Sequence, residues 1–178
     1  GDAGRQERLV NLMSEWMGRY RPLVSALVQH VNYISRATSA FQIYEDIYLV
    51  PNEWQVLEYV VVHRDSNEHM NNMIHALSIP QSSFSRIQKK LCGMGLIERY
   101  QTMDNKKNII LKPTELGIKA FENHSAEMYQ KLWKPFFDTL EGFSDEEIQT
   151  FTRALQILSR NAQIDDYRTR PALVKYNK

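Results

Sequence analysis

Basic and small polar side chains gather in one stretch of the chain, from Pro80 to Lys112. Seven lysines and arginines lie there against two acids, Glu98 and Asp104, although the formal net charge of the whole chain is only +1. The seven are Arg86, Lys89, Lys90, Arg99, Lys106, Lys107 and Lys112. Such a local excess of positive charge is the electrostatic footprint of a nucleic-acid-binding surface. Side chains of these types can recognise phosphates and bases, but they do not form a set that breaks bonds.

Two elements must position these side chains, and the first is a short amphipathic helix. Its apolar residues recur at spacings of three and four, which predicts a single buried stripe. The stripe consists of Phe84, Ile87 and Leu91. At its start, Ser78 and Gln81 have the spacing of a capping box, and Pro80 suits the first helical turn. Gly93 and Gly95 predict the end of the helix. The other positions are small, polar or basic, a composition that suits the major groove of DNA.

The second element is a β-hairpin. Residues 96–101 and 108–112 form its predicted arms, and the turn-rich, basic segment 102–107 joins them. A basic hairpin tip beside a groove-binding helix can straddle the DNA backbone or enter the minor groove. A solvated helix face and an ordinary exposed turn explain any single lysine here better than DNA does. The combination, in this order along the chain, favours DNA.

At these residues the sequence resembles the winged helix-turn-helix of the MarR family of transcription regulators. The family's recognition helix reads Ser-Thr-x-Thr-Arg with a later Leu, and residues 82–86 (SSFSR) with Leu91 match it. Residues 95–99 (GLIER) match the first wing strand, 104–107 (DNKK) the wing, and 114–117 (TELG) the helix start that follows. The resemblance extends over roughly residues 23–161.

Two positions depart from the family pattern. The usual wing arginine is replaced by Lys106 or Lys107, which keeps the charge but loses the bidentate fork of a guanidinium. The usual leucine before the helix-starting threonine is Pro113, which predicts an early end to the second wing strand.

Long helical regions flank this segment. Apolar residues share one helical face from Arg5 to Tyr20 and, after the interruption at Pro22, from Leu23 as far as Phe41 and Ile43. A lone helix of that length needs a partner for its apolar stripe. The resemblance implies that two copies pair through their terminal helices. Packing within the same chain is an open alternative for the first sixteen residues.

Further helices are predicted on both sides of the basic stretch. Asn52 is expected to cap one, and Thr114 is expected to start a long one towards Leu140 that is kinked or ended by Pro135. Ser144 with Glu147 predicts the start of the last helix. The fold class is therefore mostly α with a small β-hairpin wing, a winged helix-turn-helix with long N- and C-terminal dimerisation helices. We divide the chain into an N-terminal dimerisation region (1–47), a DNA-binding lobe (48–113), C-terminal dimerisation helices (114–162) and a tail (163–178).

No catalytic or metal-binding pattern stands out in the sequence. His63, His69 and His75 are six residues apart and do not share a helix face, and neither H-x-x-x-H nor C-x-x-C occurs. We expect no enzyme activity, no metal and no cofactor. Cys92 is better explained as a small buried residue than as a redox sensor.

The remaining composition bears on the compartment. A single cysteine suits a reducing environment, no apolar run approaches the length of a membrane span, and no signal-peptide pattern stands at the start. We therefore expect a cytoplasmic protein without membrane contact.

Together these features predict a homodimeric, DNA-binding transcription regulator on a near-palindromic operator, and the resemblance implies a ligand-responsive repressor. Groove and phosphate contacts are assigned to Ser82, Ser83, Ser85, Arg86, Lys89 and Lys90, and wing contacts to Arg99, Asn105, Lys106 and Lys107. The resemblance also implies a small aromatic or anionic effector, whose binding residues are unassigned. The alternative is a winged-helix protein–protein interaction module that does not bind DNA.

Overall fold

The computed structural model describes residues 2–6 and 16–163, and these described residues fall into two compact units that are divided between His124 and Ser125. The amphipathic helix predicted over residues 5–20 falls largely on residues 7–15, and the tail falls almost wholly on 164–178. Those parts of both predictions lie outside the described residues. At its C-terminal end the helix prediction is wrong, because residues 16–17 form a turn and Gly18–Tyr20 is a short 3-10 helix. Residues 2–6 are helical.

In the first unit, helix α1 runs from Arg21 to Arg36, with Pro22 in its first turn. Every residue of α1 is at least partly exposed. The prediction that this stripe continues to Phe41 and Ile43 is wrong, because the helix ends at Arg36.

An antiparallel hairpin, β1 (Phe41–Tyr44) and β2 (Ile47–Leu49), follows instead. Ile43, Ile47 and Leu49 are buried while Tyr48 between the last two is half exposed. Alternating burial of β-branched and aromatic residues is a strand pattern. Two short runs of it, joined by a turn with Glu45 at φ +46°, were too brief to separate from a continued helical stripe.

Helix α2 (Pro51–Val62) begins with a different cap from the one predicted. Pro51 is its first residue, and the Val50 N–H donates to Glu53 Oε1 at 2.8 Å. Asn52 therefore lies inside the helix, and Glu53 supplies the side-chain acceptor. The buried face of α2 consists of Val56, Leu57, Val60 and Val61, along with Glu53.

Helices α3 (Met70–Leu77) and α4 (Gln81–Gly93) form the helix-turn-helix. His69 caps α3, since its Nδ1 accepts the Asn71 N–H at 2.9 Å. Ser78 has the left-handed backbone conformation that ends α3, with φ +52°. Ser78 is therefore not the N-cap of α4 as predicted, because it closes α3 and Pro80 takes the N-cap position of α4.

The end of α4 is as the sequence predicts. Gly95 has φ +73°, its N–H donates to Cys92 O, and the Leu96 N–H donates to Leu91 O, both at 3.0 Å. This pair of bonds is a Schellman motif, which needs a residue that tolerates a positive φ. The motif turns the chain directly from α4 into the wing.

The wing consists of β3 (Ile97–Gln101) paired antiparallel with β4 (Ile109–Pro113). Pro113 lies opposite Ile97, so the strand does not end early. The Thr114 N–H donates to Leu96 O at 3.1 Å, which continues the pairing one residue past the proline that cannot donate. One hydrophobic cluster joins the β1–β2 hairpin, α2, α3, α4 and the wing strands.

Helix α5 (Glu115–Met128) is capped by Thr114, whose Oγ1 accepts the Gly117 N–H at 3.0 Å and donates to Gly95 O at 2.6 Å. A Cβ on Gly117 would lie 2.0 Å from the backbone oxygen of Leu96. The Thr-x-x-Gly pattern therefore has a structural cause: the first turn of α5 presses against the start of the wing.

The second unit is helical in the part that is described. A π-helical turn (Tyr129–Trp133) precedes α6 (Lys134–Leu140), and the Lys134 N–H donates to Tyr129 O. Pro135 lies in the first turn of α6, directly after the π-helical turn, so the regular α-helix predicted to run towards Leu140 is interrupted just before this proline. Helix α7 (Asp145–Gln163) is capped by Ser144, whose Oγ accepts the Glu147 N–H at 3.1 Å, as expected. Within the described ranges, no helix combines the length and apolar character needed to cross a membrane.

Candidate nucleic-acid interface

The two faces of α4 divide as the sequence predicts. Phe84, Ile87 and Leu91 are buried in the core. Ser82, Arg86 and Lys89 follow one another at spacings of four and three, and all three are exposed. Residues at these spacings share a helix face, so α4 presents a hydroxyl, a guanidinium and an ammonium on one surface. Ser83 and Ser85 lie at its edges and are partly buried.

Lys90 is held differently from the other cations of α4. Its Nζ lies 2.7 Å from Glu53 Oε2 and 3.0 Å from Oε1. The Glu53 side chain is only 7% exposed, while that of Lys90 is 48% exposed. The ion pair therefore ties the recognition helix to the first turn of α2. Nothing in the sequence indicated that Glu53 pairs with Lys90. Its only signal was that Glu53 is an acid at the third position of the helix that begins at Pro51.

Asn105 builds the wing turn. Its Oδ1 accepts the Lys107 N–H, and its carbonyl accepts the Thr102 hydroxyl and the Asn108 N–H, each at 3.0 Å. These bonds form an Asx turn that fixes the tip. Lys106 and Lys107 are exposed on it.

The wing strands carry the other charged groups. Arg99 is exposed on β3. The Tyr100 hydroxyl beside it donates to Glu98 Oε2 at 2.8 Å, and this hydrogen bond raises the pKa of Tyr100. Lys112, the last cation of the basic stretch, donates to Arg64 O at 2.6 Å and Ser66 O at 3.0 Å. It therefore holds the loop after α2 against β4.

Of the side chains that could act as metal ligands or as a redox sensor, His63, His69 and Cys92 pack against other residues or cap a helix. In residues 2–6 and 16–163, no three His, Cys, Asp or Glu side chains group closely enough to hold a metal ion. The His63 ring stacks on Tyr59 at 3.9 Å, and His69 caps α3. Burial raises the pKa of the partly buried Cys92 thiol, although Arg99 nearby acts in the opposite direction. The raised pKa leaves less of the reactive thiolate. Trp54 packs between Phe121 and His124.

Comparisons with known proteins agree with this geometry. A family model described as a winged helix DNA-binding domain matches residues 49–117. The chain is 25% identical over 143 residues to the HTH-type transcriptional regulator PchR of Bacillus subtilis, covering 76% of this chain and 83% of that protein.

Solved structures resemble the fold. The zinc-responsive MarR family member ZitR of Lactococcus lactis superimposes with a TM-score of 0.54 at 16% identity, covering 79% of this chain and 97% of ZitR. Wild-type ZitR in complex with DNA gives a TM-score of 0.55 at 16% identity, covering 82% and 98%. The matched domain includes the exposed face of α4 and the whole wing. The chain is thus a DNA-binding transcription regulator with the winged helix-turn-helix fold of the MarR family.

Proposed function

We propose that this regulator binds a near-palindromic DNA site as a homodimer and acts as a ligand-responsive repressor. The observation that carries the proposal is the single exposed face of α4, with Ser82, Arg86 and Lys89, next to a basic wing built on a fixed turn. One such surface per subunit reads one half-site, and a two-fold dimer reads two half-sites in opposite orientation.

The contacts follow from the chemistry of each position. Ser82 lies in the first turn of α4, where exposed backbone N–H groups and the helix dipole favour a phosphate. Arg86 lies one turn further, and its forked donors fit a guanine edge in the major groove. We assign Ser83, Ser85 and Lys89 to the groove and its phosphates. Arg99, Lys106 and Lys107 are the proposed wing contacts, and Asn105 fixes the turn that presents them.

Replacing Arg86 with alanine is expected to weaken binding to the specific site by roughly 1–3 kcal/mol while leaving binding to random duplex nearly unchanged. The reason is that a bidentate contact to a base exists only on the correct sequence. Fluorescence anisotropy on both duplexes measures the difference. Lys119→Ala removes one exposed positive charge from α5 and serves as the control. Equal losses on both duplexes would make Arg86 a phosphate contact.

Two helices, α1 and α7, each expose an apolar face, and these faces support the proposal of a homodimer. In α1, Leu23, Val31 and Ile34 are 48–59% exposed. In α7, Phe151, Leu155 and Leu158 follow at spacings of four and three and are 36–55% exposed. An amphipathic helix buries its apolar stripe against another element. A second copy of the chain is the partner that also satisfies a two-fold operator.

Introducing Phe151→Glu together with Leu155→Glu is expected to halve the molar mass measured by light scattering, because two carboxylates would have to be buried at the interface. Gln149 lies on the other side of α7, so Gln149→Glu is the matched control and should leave the mass of a dimer unchanged. The proposal of a dimer through α7 is lost if the wild-type protein already has the mass of one chain, or if the double variant keeps the dimer mass.

The ligand response is the part of the proposal that rests on the resemblance. A small aromatic or anionic effector would have to bind more tightly to the conformation that cannot bind DNA than to the one that can. A ligand with equal affinity for both conformations would not change their populations. Its binding residues stay unassigned. Location in the cytoplasm belongs to the same proposal, because a regulator acts where the chromosome lies.

The test of the function is anisotropy with DNA from around the protein's own coding region, at two salt concentrations, with a random duplex as control. Tight, salt-sensitive binding that prefers the specific duplex is expected. Absence of binding even at low salt would instead favour the winged-helix module that binds other proteins.

A further inference from the structure

The tip of the wing carries an apolar side chain with no structural role in the fold. Met103 is 103% exposed, whereas the next most exposed large apolar residue in the described ranges, Tyr33, is 74% exposed. A single exposed apolar residue needs no explanation by itself. Its place does, because Met103 lies at the tip of the hairpin that is proposed to approach DNA.

The tip is a fixed structure rather than a loose loop. Residues 102 and 108 are both bonded to the Asn105 carbonyl, and the Asn105 side chain holds the Lys107 N–H. Met103 lies between Thr102 and Asn105 and is therefore presented from a turn with three cross-links. Because the backbone of the turn is already fixed, binding of Met103 to a partner costs mainly the conformational entropy of its side chain.

The charges around Met103 select the part of DNA that it meets. Lys106 and Lys107 follow the Asn105 turn and suit the phosphates along the groove. Asp104, directly beside Met103, repels a phosphate. Met103 itself has no charge and cannot pair with a phosphate, so its side chain suits the walls and floor of a groove, where apolar deoxyribose carbons and base edges are exposed. Methionine is among the side chains that proteins insert into the minor groove.

We propose that Met103 enters the minor groove at the outer end of each half-site and selects A·T pairs there; this rests on the proposed DNA binding. The selection has a steric cause. The 2-amino group of guanine projects into the minor groove, whereas A·T pairs leave its floor open. An apolar side chain cannot hydrogen-bond that amino group and loses contact when displaced by it. Met103 is thus a specificity-determining residue that differs from the wing lysines, which respond to phosphate charge alone.

The test compares three substitutions at one position on one operator. Met103→Leu keeps the apolar character, Met103→Gln keeps the length but adds an amide, and Met103→Ala removes the side chain. We expect the leucine variant to bind like wild type and the other two to bind roughly tenfold more weakly, the equivalent of losing part of the burial of one apolar side chain. The slope of affinity against salt should stay unchanged. Lys106→Ala with Lys107→Ala is the contrast, since it should lower that slope by nearly two.

DNA variants test the selection itself. Changing the A·T pairs under the wing to G·C should weaken wild-type binding about tenfold but barely affect Met103→Ala. Inosine–cytosine pairs, which lack the 2-amino group, should restore wild-type affinity.

The outcomes separate this inference from the proposed function. Wild-type protein that binds no duplex overturns both. Wild-type protein that binds its operator while Met103→Gln binds equally well overturns only the role of Met103. A weaker Met103→Gln variant with a reduced salt slope also overturns it, because the position would then act through the lysines. Full exposure of Met103 means that none of these variants should shift the melting temperature.

Discussion

Replacing Gly117 with alanine is expected to lower the free energy of unfolding by about 3 kcal/mol or more. The new Cβ would lie 2.0 Å from Leu96 O and 3.0 Å from Leu96 C, and both atoms belong to backbone. A side chain could rotate away from such a contact, but here the first turn of α5 must move as a whole.

The surrounding hydrogen bonds make that movement costly. The Thr114 N–H donates to Leu96 O at 3.1 Å, and the Thr114 hydroxyl lies 2.6 Å from Gly95 O and 3.2 Å from Leu96 O. Backing α5 away from β3 would break these bonds and open a gap over Leu57, whose Cδ1 lies 3.5 Å from the added methyl. The loss therefore combines strain, lost hydrogen bonds and poorer packing.

Urea denaturation measures the change, and Gly93→Ala is the matched control. Gly93 ends α4, and a Cβ there would have no atom within 4 Å. That substitution should be neutral or stabilising by up to about 1 kcal/mol, since alanine is the better helix former. Similar free energies for the two variants would mean that the contact at Gly117 relaxes freely. A second expected consequence is weaker operator binding by Gly117→Ala, because the displaced element is the base of the wing.

The sequence predicted those elements whose signals are local and repeated. The stripe through Phe84, Ile87 and Leu91, the Gly95 turn and the arms of the wing all follow from periodicity and turn chemistry, and all are confirmed. The Ser144 cap is confirmed for the same reason.

The failures occurred where one local pattern fits two structures. Ser78 and Gln81 have capping-box spacing, yet Ser78 is the last residue of the preceding turn and takes a left-handed conformation. Phe41 and Ile43 extend a helical stripe on paper, but β1 and β2 bury Ile43, Ile47 and Leu49 against a core formed by later residues. Tertiary packing decided both cases, and a single sequence does not display it.

The basic stretch shows the same limit in its charges. Seven cations predicted one surface, but Lys112 is bonded to the carbonyls of Arg64 and Ser66, and Lys90 is paired with Glu53, 37 residues earlier in the chain. Sequence spacing places side chains on a helix face, whereas partners from another element determine which of them remain exposed. This division has a measurable consequence at Lys90.

Replacing Lys90 with methionine is expected to lower the free energy of unfolding by about 3 kcal/mol, at the low end for a broken buried ion pair. The Glu53 side chain is 7% exposed, and it would lose the Lys90 ammonium that lies 2.7 Å from its Oε2. The loss is at the low end because the Lys90 side chain is 48% exposed, so water can reach the abandoned carboxylate. The Val50 N–H, 2.8 Å from Oε1, also remains as a donor.

Glu53→Gln is the partner variant and should cost less than Lys90→Met. The amide oxygen still accepts the Val50 N–H, no charge is buried, and the released ammonium can be hydrated. The double variant should be more stable than the sum of the two single losses predicts, because the buried charge is absent. Additive losses would mean that the two side chains do not interact in solution.

DNA binding by Lys90→Met then separates two roles for the same lysine. If Lys90 left Glu53 to meet a phosphate, its loss would reduce the salt slope by about 0.9. We expect instead a weaker affinity with an unchanged slope, because Lys90 holds α4 against α2 and acts through the angle at which Arg86 enters the groove. Lys89→Ala, on the exposed face one residue earlier, should give the opposite pattern, a reduced slope with no change in the free energy of unfolding. Matching results for the two lysines would contradict the division of α4 into a DNA face and a face tied to α2.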